Sequence, residues 1–370
     1  MPVRSLAQRT VFEDPSPIAL RLPYGRSIAA LHPRGSFPLV EDPRTTSRAC
    51  IIGMMVLRPA TTSWTPDFAA GDVPRELRGT GDWCYDVRGV GGSWPISGGN
   101  AFDAYRLAMQ YGTVDAVLAG SSTVIREGRH VGARRAHLWQ PYTPLSWSAL
   151  APYRGMLEPA ISDLRRRWQD LGLLSRRSYP AQVAVTGSGV AEDPNADILD
   201  ARIFHERHPD GPAIEAWILT SEAGAVRLRE RARRRRRRDI DRIVLVGSSP
   251  ESPETIDVAR VPELLRTRLD ARLVEHDGGA TSLSAFLEAG AIAQLNLTLM
   301  RRRSVREVLA AGGRIGDEQR KAVLQSWSDR PRLFPPGGGA LPQSWRPFYA
   351  VAEEGEGAEG VAVSFDVRGQ

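Results

Sequence analysis

Hydrophobic positions in this chain fall into short continuous runs, separated by glycine-bearing turns and by stretches with helical spacing. Ala49–Leu57 (ACIIGMMVL) is apolar throughout, which predicts a strand buried on both faces. Asp115–Ala119 (DAVLA), Gln182–Thr186 (QVAVT), Ala216–Thr220 (AWILT) and Ile243–Val246 (IVLV) repeat that pattern. Ala101–Tyr111 puts Phe102, Tyr105, Leu107 and Ala108 on one helical face, with Asn100 or Ser97 available as its cap. Glu158–Leu171 repeats Leu164, Trp168 and Leu171 at helical spacing, and Val261–Leu269 is a further helix. The most regular alternation is Arg272–Met300. An apolar run over Arg272–Glu275 leads into Asp277-Gly278-Gly279, then a helix from about Thr281 to Ala289, a stop at Gly290, and a second apolar run over Ala291–Met300. Asp317–Trp327 has a helical pattern, and Phe348–Val351 with Val361–Val367 predicts a terminal antiparallel hairpin.

Alternating strands and helices predict an α/β sheet of about seven or eight strands. No linker interrupts the alternation after residue 48, so residues 48–370 read as one domain. Residues 1–47 are rich in proline and arginine and lack periodicity. They read either as an extended arm or as disorder.

Composition narrows the chemistry. The chain has 370 residues, 42% of them hydrophobic, and a net charge of +6. The basic side is almost all arginine, and Lys321 is the only lysine. It lies in a polar helical pattern without a glycine loop, which argues against Schiff-base and P-loop chemistry. Cys50 and Cys84 are too few for a disulfide framework or a zinc knuckle. The first residues show no secretory signal and no apolar run is long enough to span a bilayer, so a cytoplasmic protein is expected. Nucleophile-elbow, zinc-protease, Walker and zinc-deaminase patterns are missing, and so is an ordinary Rossmann fingerprint, since the G-x-G-x-x-G spacing at Gly355–Gly360 lies in the turn of the predicted hairpin and opens no helix. His205 and His208 (HERH) have no third ligand nearby in sequence and read as solvated histidines. The unbroken run Arg233–Arg238 has three readings: a solvated loop, a contact to a nucleotide 2′-phosphate, or a polyanion surface.

Three predicted strands end in small-residue turns: Gly120-Ser121-Ser122-Thr123, Gly247-Ser248-Ser249 and Asp277-Gly278-Gly279. Such turns let backbone N–H groups and hydroxyls approach a phosphate, and several on one sheet edge suit a dinucleotide. Equally, each can be a plain strand-to-helix connection.

The segment GSWPISGGNAFDAYRLAMQYGTVDAVLAGSSTVIREG resembles the early part of the reductase domain of riboflavin biosynthesis, the RibD C-terminal domain family. Arg272–Met300 resembles that family's later glycine motif with its helix and strand. The resemblance covers roughly residues 48–370 and is most specific over Asp115–Val124. It implies a dihydrofolate-reductase-like fold: a mostly parallel sheet flanked by helices, with a C-terminal antiparallel hairpin. It also implies an NADPH-dependent reductase that delivers hydride to a C=N or C=O carbon of a pyrimidine-like, pteridine-like or ribosylamino substrate, and a homodimer. On that resemblance Gly120, Ser121, Ser122, Thr123 and Val124 lie near the nicotinamide and its ribose, and Gly278 and Gly279 hold the pyrophosphate. Thr220 and Ser221 lie near the adenosine end, and Trp94 and Ser97 on the substrate side. Asp277 stands where the family carries glutamate, and is either the proton donor or a scaffold for the turn. The chain lacks the family's S-x-D-G after the first strand, and Ala293 and Gln294 replace its usual acidic pair. Those departures support a second reading, a catalytically degenerate member that binds a nucleotide or nucleic acid through the arginine run.

Overall fold

The computed structural model describes residues 8–14, 16–23, 36–57, 101–121, 124–125, 153–189, 197–208, 211–237, 239–249, 251–278, 280–300, 345–353 and 360–368. The expected helix at Asp317–Trp327 lies outside these residues.

Apolar runs with β-branched residues form the centre of the sheet, where both faces are covered. In chain order the strands are β1 (Gln8–Glu13), β2 (Leu20–Pro23), β3 (Ser36–Leu39), β4 (Cys50–Leu57), β5 (Ala116–Gly120) and β6 (Ala181–Thr186). They continue with β7 (Ala216–Thr220), β8 (Val244–Val246), β9 (Leu273–His276), β10 (Gln294–Met300), β11 (Arg346–Glu353) and β12 (Gly360–Asp366). Ten of them form one sheet in the order β1-β11-β12-β10-β4-β9-β5-β6-β7-β8, and β2 and β3 pair separately. From β10 to β8 every neighbouring pair is parallel. The terminal hairpin β11–β12 adds antiparallel strands at the β10 side, as expected.

The helices are α1 (Ala101–Gly112), α2 (Arg154–Asp170), α3 (Glu222–Arg234), the single turn α4 (Ile240–Ile243), α5 (Val261–Leu269) and α6 (Ala280–Glu288). One face of the sheet is covered by α1, α2 and α3, whose Tyr105, Leu164 and Leu228 belong to one buried cluster. The other is covered by α5 and α6, whose Leu265 and Phe286 belong to a second. Helix α1 can lie close to α2 because it ends in Gly112. A Cβ there would stand 2.1 Å from Ile161 Cγ2.

The structure departs from the sequence reading in four places. The sheet is wider than seven or eight strands, because β1, in the proline-rich arm, pairs antiparallel with β11 and forms its edge. Leu22, Leu39 and Val40 of the same arm are fully buried. Helix α2 begins before Glu158 and keeps Pro159 inside it. Burial of Tyr153 and Leu157 compensates for the hydrogen bond that a proline removes. The arginine run is not a loop throughout: Arg233 and Arg234 close helix α3. Finally, His208 is buried and stacks on Tyr179, with ring centroids 3.7 Å apart, so it is not solvated.

Candidate active site at the carboxyl edge of the sheet

Five adjacent parallel strands, β9, β5, β6, β7 and β8, end on one edge. Their last residues run into His276-Asp277-Gly278, Gly120-Ser121, Thr186-Gly187-Ser188-Gly189, Thr220-Ser221 and Gly247-Ser248-Ser249. Register brings them level: Leu118 pairs with His276, Gly120 with Val185, Thr186 with Thr220, and Thr220 with Val246. The structure therefore brings together the three expected turns and adds a fourth, Thr186–Gly189, which sequence reasoning passed over. Its Gly-Ser-Gly after an apolar run is the signal that could have found it. Helix α1 follows β4 on one face, and α6 follows β9 on the other. β9 lies beside β4 between these oppositely directed crossovers, the kind of crevice where open α/β sheets collect ligands. Asp277 is the first residue after β9, and its N–H donates to Leu118 O at 2.9 Å.

At β7 the edge is closed by the protein's own groups. Ser221 caps α3, accepting from Gly224 N–H at 2.9 Å and donating to Gly187 O at 2.6 Å. Glu222 N–H donates to Ser248 Oγ at 2.6 Å, Ala223 N–H to Pro253 O and Ala225 N–H to Ser221 O. The first four N–H groups of α3 are thus committed, which leaves no donor of that turn for an anion. Gly224 and Gly189 make this packing possible. A Cβ on Gly224 would stand 2.1 Å from Thr220 Oγ1, and one on Gly189 (φ +66°) 2.3 Å from Gly224 O. Thr220 and Ser221 have no exposed surface, and Thr220 Oγ1 has no partner among the described residues. Gly187 and Ser188 are exposed at the rim, and a Cβ on Gly187 would meet nothing within 4 Å.

At β9 the side chains alternate between faces. Glu275 and Asp277 face α1, and His276 faces α6. Tyr111 of α1 donates its hydroxyl to Asp277 Oδ2 in a short hydrogen bond. Burial pushes Asp277 up to about 6, against the bond from Tyr111, which lowers it. Glu275 is fully buried, and neither carboxyl oxygen has a partner among the described residues. Burial first, and the Asp277 charge second, raise it well above the usual carboxylate range, so its neutral form is favoured. His276 is held at about 4 by burial, hence neutral at physiological pH. Its Nδ1 accepts from Gly278 N–H at 3.3 Å, and its Nε2 lies 3.0 Å from Ser282 Oγ, which requires the Nε2–H tautomer. Gly278 is needed for this fit. A Cβ would come within 2.5 Å of His276 Cε1 and 2.9 Å of Ser282 Cβ. Glu275 and His276 were not singled out from the sequence, because they sit inside what looks like an ordinary strand end.

The other expected site residues are placed as follows. Gly120 and Ser121 are half-buried at the end of β5, and Val124 is buried in the core. Trp94, Ser97, Ser122, Thr123 and Gly279 lie outside the described residues. Ala293 and Gln294 are buried at the opposite end of β10, where Gln294 bonds Asn296 at 3.1 Å and Val40 N–H at 3.4 Å. A cavity of about 30 Å³ lined by Ile52, Tyr105, Arg106, Met109 and Trp168 has room for roughly one or two waters, not a nucleotide. Among the described residues no group of three or more His, Cys, Asp or Glu could hold a metal, and no helix is long and apolar enough to cross a membrane.

Several solved structures are similar to this chain. RibD of Acinetobacter baumannii is 13% identical with a TM-score of 0.39, over 87% of this chain and 58% of that one. A pyrimidine reductase-like protein of Corynebacterium diphtheriae is 13% identical with a TM-score of 0.43, over 86% and 91%. The riboflavin biosynthesis reductase Rib7 of Saccharomyces cerevisiae is 10% identical with a TM-score of 0.36, over 87% and 91%. No protein-family model matches the sequence, and no curated protein matches it. The chain thus spans a little over half the length of the Acinetobacter protein.

Proposed function

We propose that this protein is an NADPH-dependent reductase whose dinucleotide lies along the carboxyl edge of β9, β5, β6, β7 and β8. The observation that carries this reading is the convergence of four small-residue turns on one edge, with a titratable carboxyl, Asp277, at the switch point. The residues fit such a group. Gly187 and Ser188 are exposed at the rim, and the buried Thr220 hydroxyl has no partner among the described residues. With the N-terminus of α3 committed, the pyrophosphate falls to the start of α6, where Gly278, its own N–H turned to His276 Nδ1, and Gly279 precede the helix. Gly120 to Thr123 would line the nicotinamide end, Val124 being packed in the core behind them, and Thr220 and Ser221 would support the adenosine end from below.

NADPH supplies the hydride when bound, to a C=N or C=O carbon of a substrate near Trp94 and Ser97. The chain's own task is orientation and proton supply. Asp277, held at about 6, exchanges a proton near neutral pH, and Tyr111 fixes the rotamer of its carboxyl. Glu275 below it stays neutral, which keeps a second negative charge away from Asp277. A ribosylamino-pyrimidine phosphate is the substrate class to try first. With NADPH and that substrate, turnover is expected from the native chain, and Asp277→Asn should lower kcat by about 100-fold with little change in nucleotide affinity. Unchanged kcat in the variant would leave Asp277 as a scaffold for the turn.

A further inference from the structure

Helix α3 starts at the carboxyl edge and runs back along the sheet, and its 13 residues span about 20 Å. The arginine run at its end therefore lies on the edge remote from Asp277, out of reach of a phosphate bound at Gly278. Some of these arginines hold the fold. Arg235 bridges Asp197 at 3.2 Å and also pairs with Asp200. Arg237 pairs with Asp239 at 2.8 Å, donates to Leu199 O at 2.9 Å and lies over the Phe204 ring. Arg229 pairs with Asp241 at 2.7 Å. Arg233 and Arg236 have no acidic partner among the described residues.

Arg229, Arg233, Arg236 and Arg237, with Ile240 and Asp241, line a hollow of about 460 Å³. Four guanidinium groups against one lining carboxylate leave an excess of three positive charges, or two when Asp239 beside Arg237 is included. The helix dipole favours cations at this end, but it does not account for four converging on one concavity. The turn beneath them is rigid: Arg237 N–H donates to Ala232 O at 2.9 Å, and Arg236 N–H to Arg233 O at 3.1 Å. Arg236 has φ +55°, the left-handed position that closes a helix and is ordinarily glycine. An arginine in that conformation, with its side chain lining the hollow, points to use of the side chain.

We propose that this hollow binds a diphosphate group, either free pyrophosphate or the diphosphate end of a nucleotide. The two uncommitted guanidiniums can each take one phosphoryl group through paired N–H donors. Arg229 and Arg237, fixed by their aspartates, supply the flanking charge. The site is independent of the dinucleotide edge.

The test is calorimetric titration of the full chain with pyrophosphate, ADP, orthophosphate and a single-stranded oligonucleotide. The variants are Arg233→Gln/Arg236→Gly and, as a control for the other edge, Gly187→Glu. Glycine suits the left-handed position, so thermal stability of the double variant should be equal to the native chain or higher. Saturable pyrophosphate binding, weakened at least tenfold in the double variant and unchanged in Gly187→Glu, is the expected result. ADP binding tighter than pyrophosphate would identify a nucleotide source, and equal binding a free anion. The proposal is overturned if pyrophosphate fails to bind, binds no better than orthophosphate, or is insensitive to the double variant. It is also overturned if the oligonucleotide is the tighter ligand and is lost in that variant. NADPH binding should persist in the double variant, so failure here is separable from failure of the reductase reading.

Discussion

The two edges of the sheet use buried carboxyl groups in opposite ways. On the amino edge Asp115 accepts four hydrogen bonds: from Ser175 N–H and Oγ at 2.7 Å each, Arg272 N–H at 2.8 Å and Leu273 N–H at 3.2 Å. It joins β9, β5 and the segment entering β6. Arg165 completes that edge, donating to Gly112 O, Val114 O and Arg177 O. On the carboxyl edge, Glu275 has no partner among the described residues, and Asp277 has one bond from Tyr111 and a raised pKa. A satisfied buried charge is a clip, whereas an unsatisfied one costs stability and marks a place where function sets the residue. The same strands, and strand neighbours only a few residues apart, thus separate into an edge whose buried carboxyl is fully bonded and an edge whose carboxyls are not.

The sharpest way to break this contrast is to remove the clip. Asp115→Ala leaves the N–H groups of two segments, Ser175 and Arg272–Leu273, without their acceptor and should cost about 3 kcal/mol or more in urea denaturation. A loss below about 1 kcal/mol would mean that the amino edge is not held as described.

The next effect is on pH dependence. His276 falls from its ordinary 6.5 to about 4 in the folded chain, so between those values the unfolded chain binds more protons. Its contribution is fully present above pH 6.5 and is lost as pH falls toward 4, about 3 kcal/mol in all. Asp277 rises from 3.8 to about 6, so the folded chain binds more protons in that window and stability falls as pH rises through it, by a similar amount of about 3 kcal/mol. In the native chain His276 is opposed between about pH 4 and 6 by Asp277 and by Glu275, whose carboxyl is also held above its usual range. Asp277→Asn removes one of the two opposing groups, so stability should climb more steeply over that range than in the native chain. Identical slopes for the two proteins would contradict the raised Asp277 pKa. The smallest effect concerns the helix cap: Ser221→Ala should cost about 1 kcal/mol, read from the thermal midpoint.

Much of this was legible in the residues. β7 and α5 match the periodic pattern residue for residue, because a complete apolar run and a complete helical face leave one solution. The grouping of small-residue turns on one sheet edge was legible through glycine and serine at strand ends. What was not legible depends on distant partners. QRTVFE gains its strand identity only by pairing with β11. The start of α2 is set by burial of Tyr153, not by Pro159. Thr220 and Ser221, expected beside the adenosine end, have no exposed surface, because Gly189 and Gly224 let the neighbouring backbones pack over them. Depth below the surface is a tertiary property, and so is the role of Glu275, which reads as one polar residue in an apolar run.

The central claim, a dinucleotide site on the carboxyl edge, is tested most directly at Gly187. Its Cβ position is open, so Gly187→Glu adds a carboxylate to the rim without disturbing the packing. Titration with NADPH and NADH, followed by nicotinamide fluorescence, should give saturable NADPH binding to the native chain and at least about tenfold weaker binding to the variant. Binding of neither nucleotide, or binding that the new carboxylate leaves unchanged, would contradict the account.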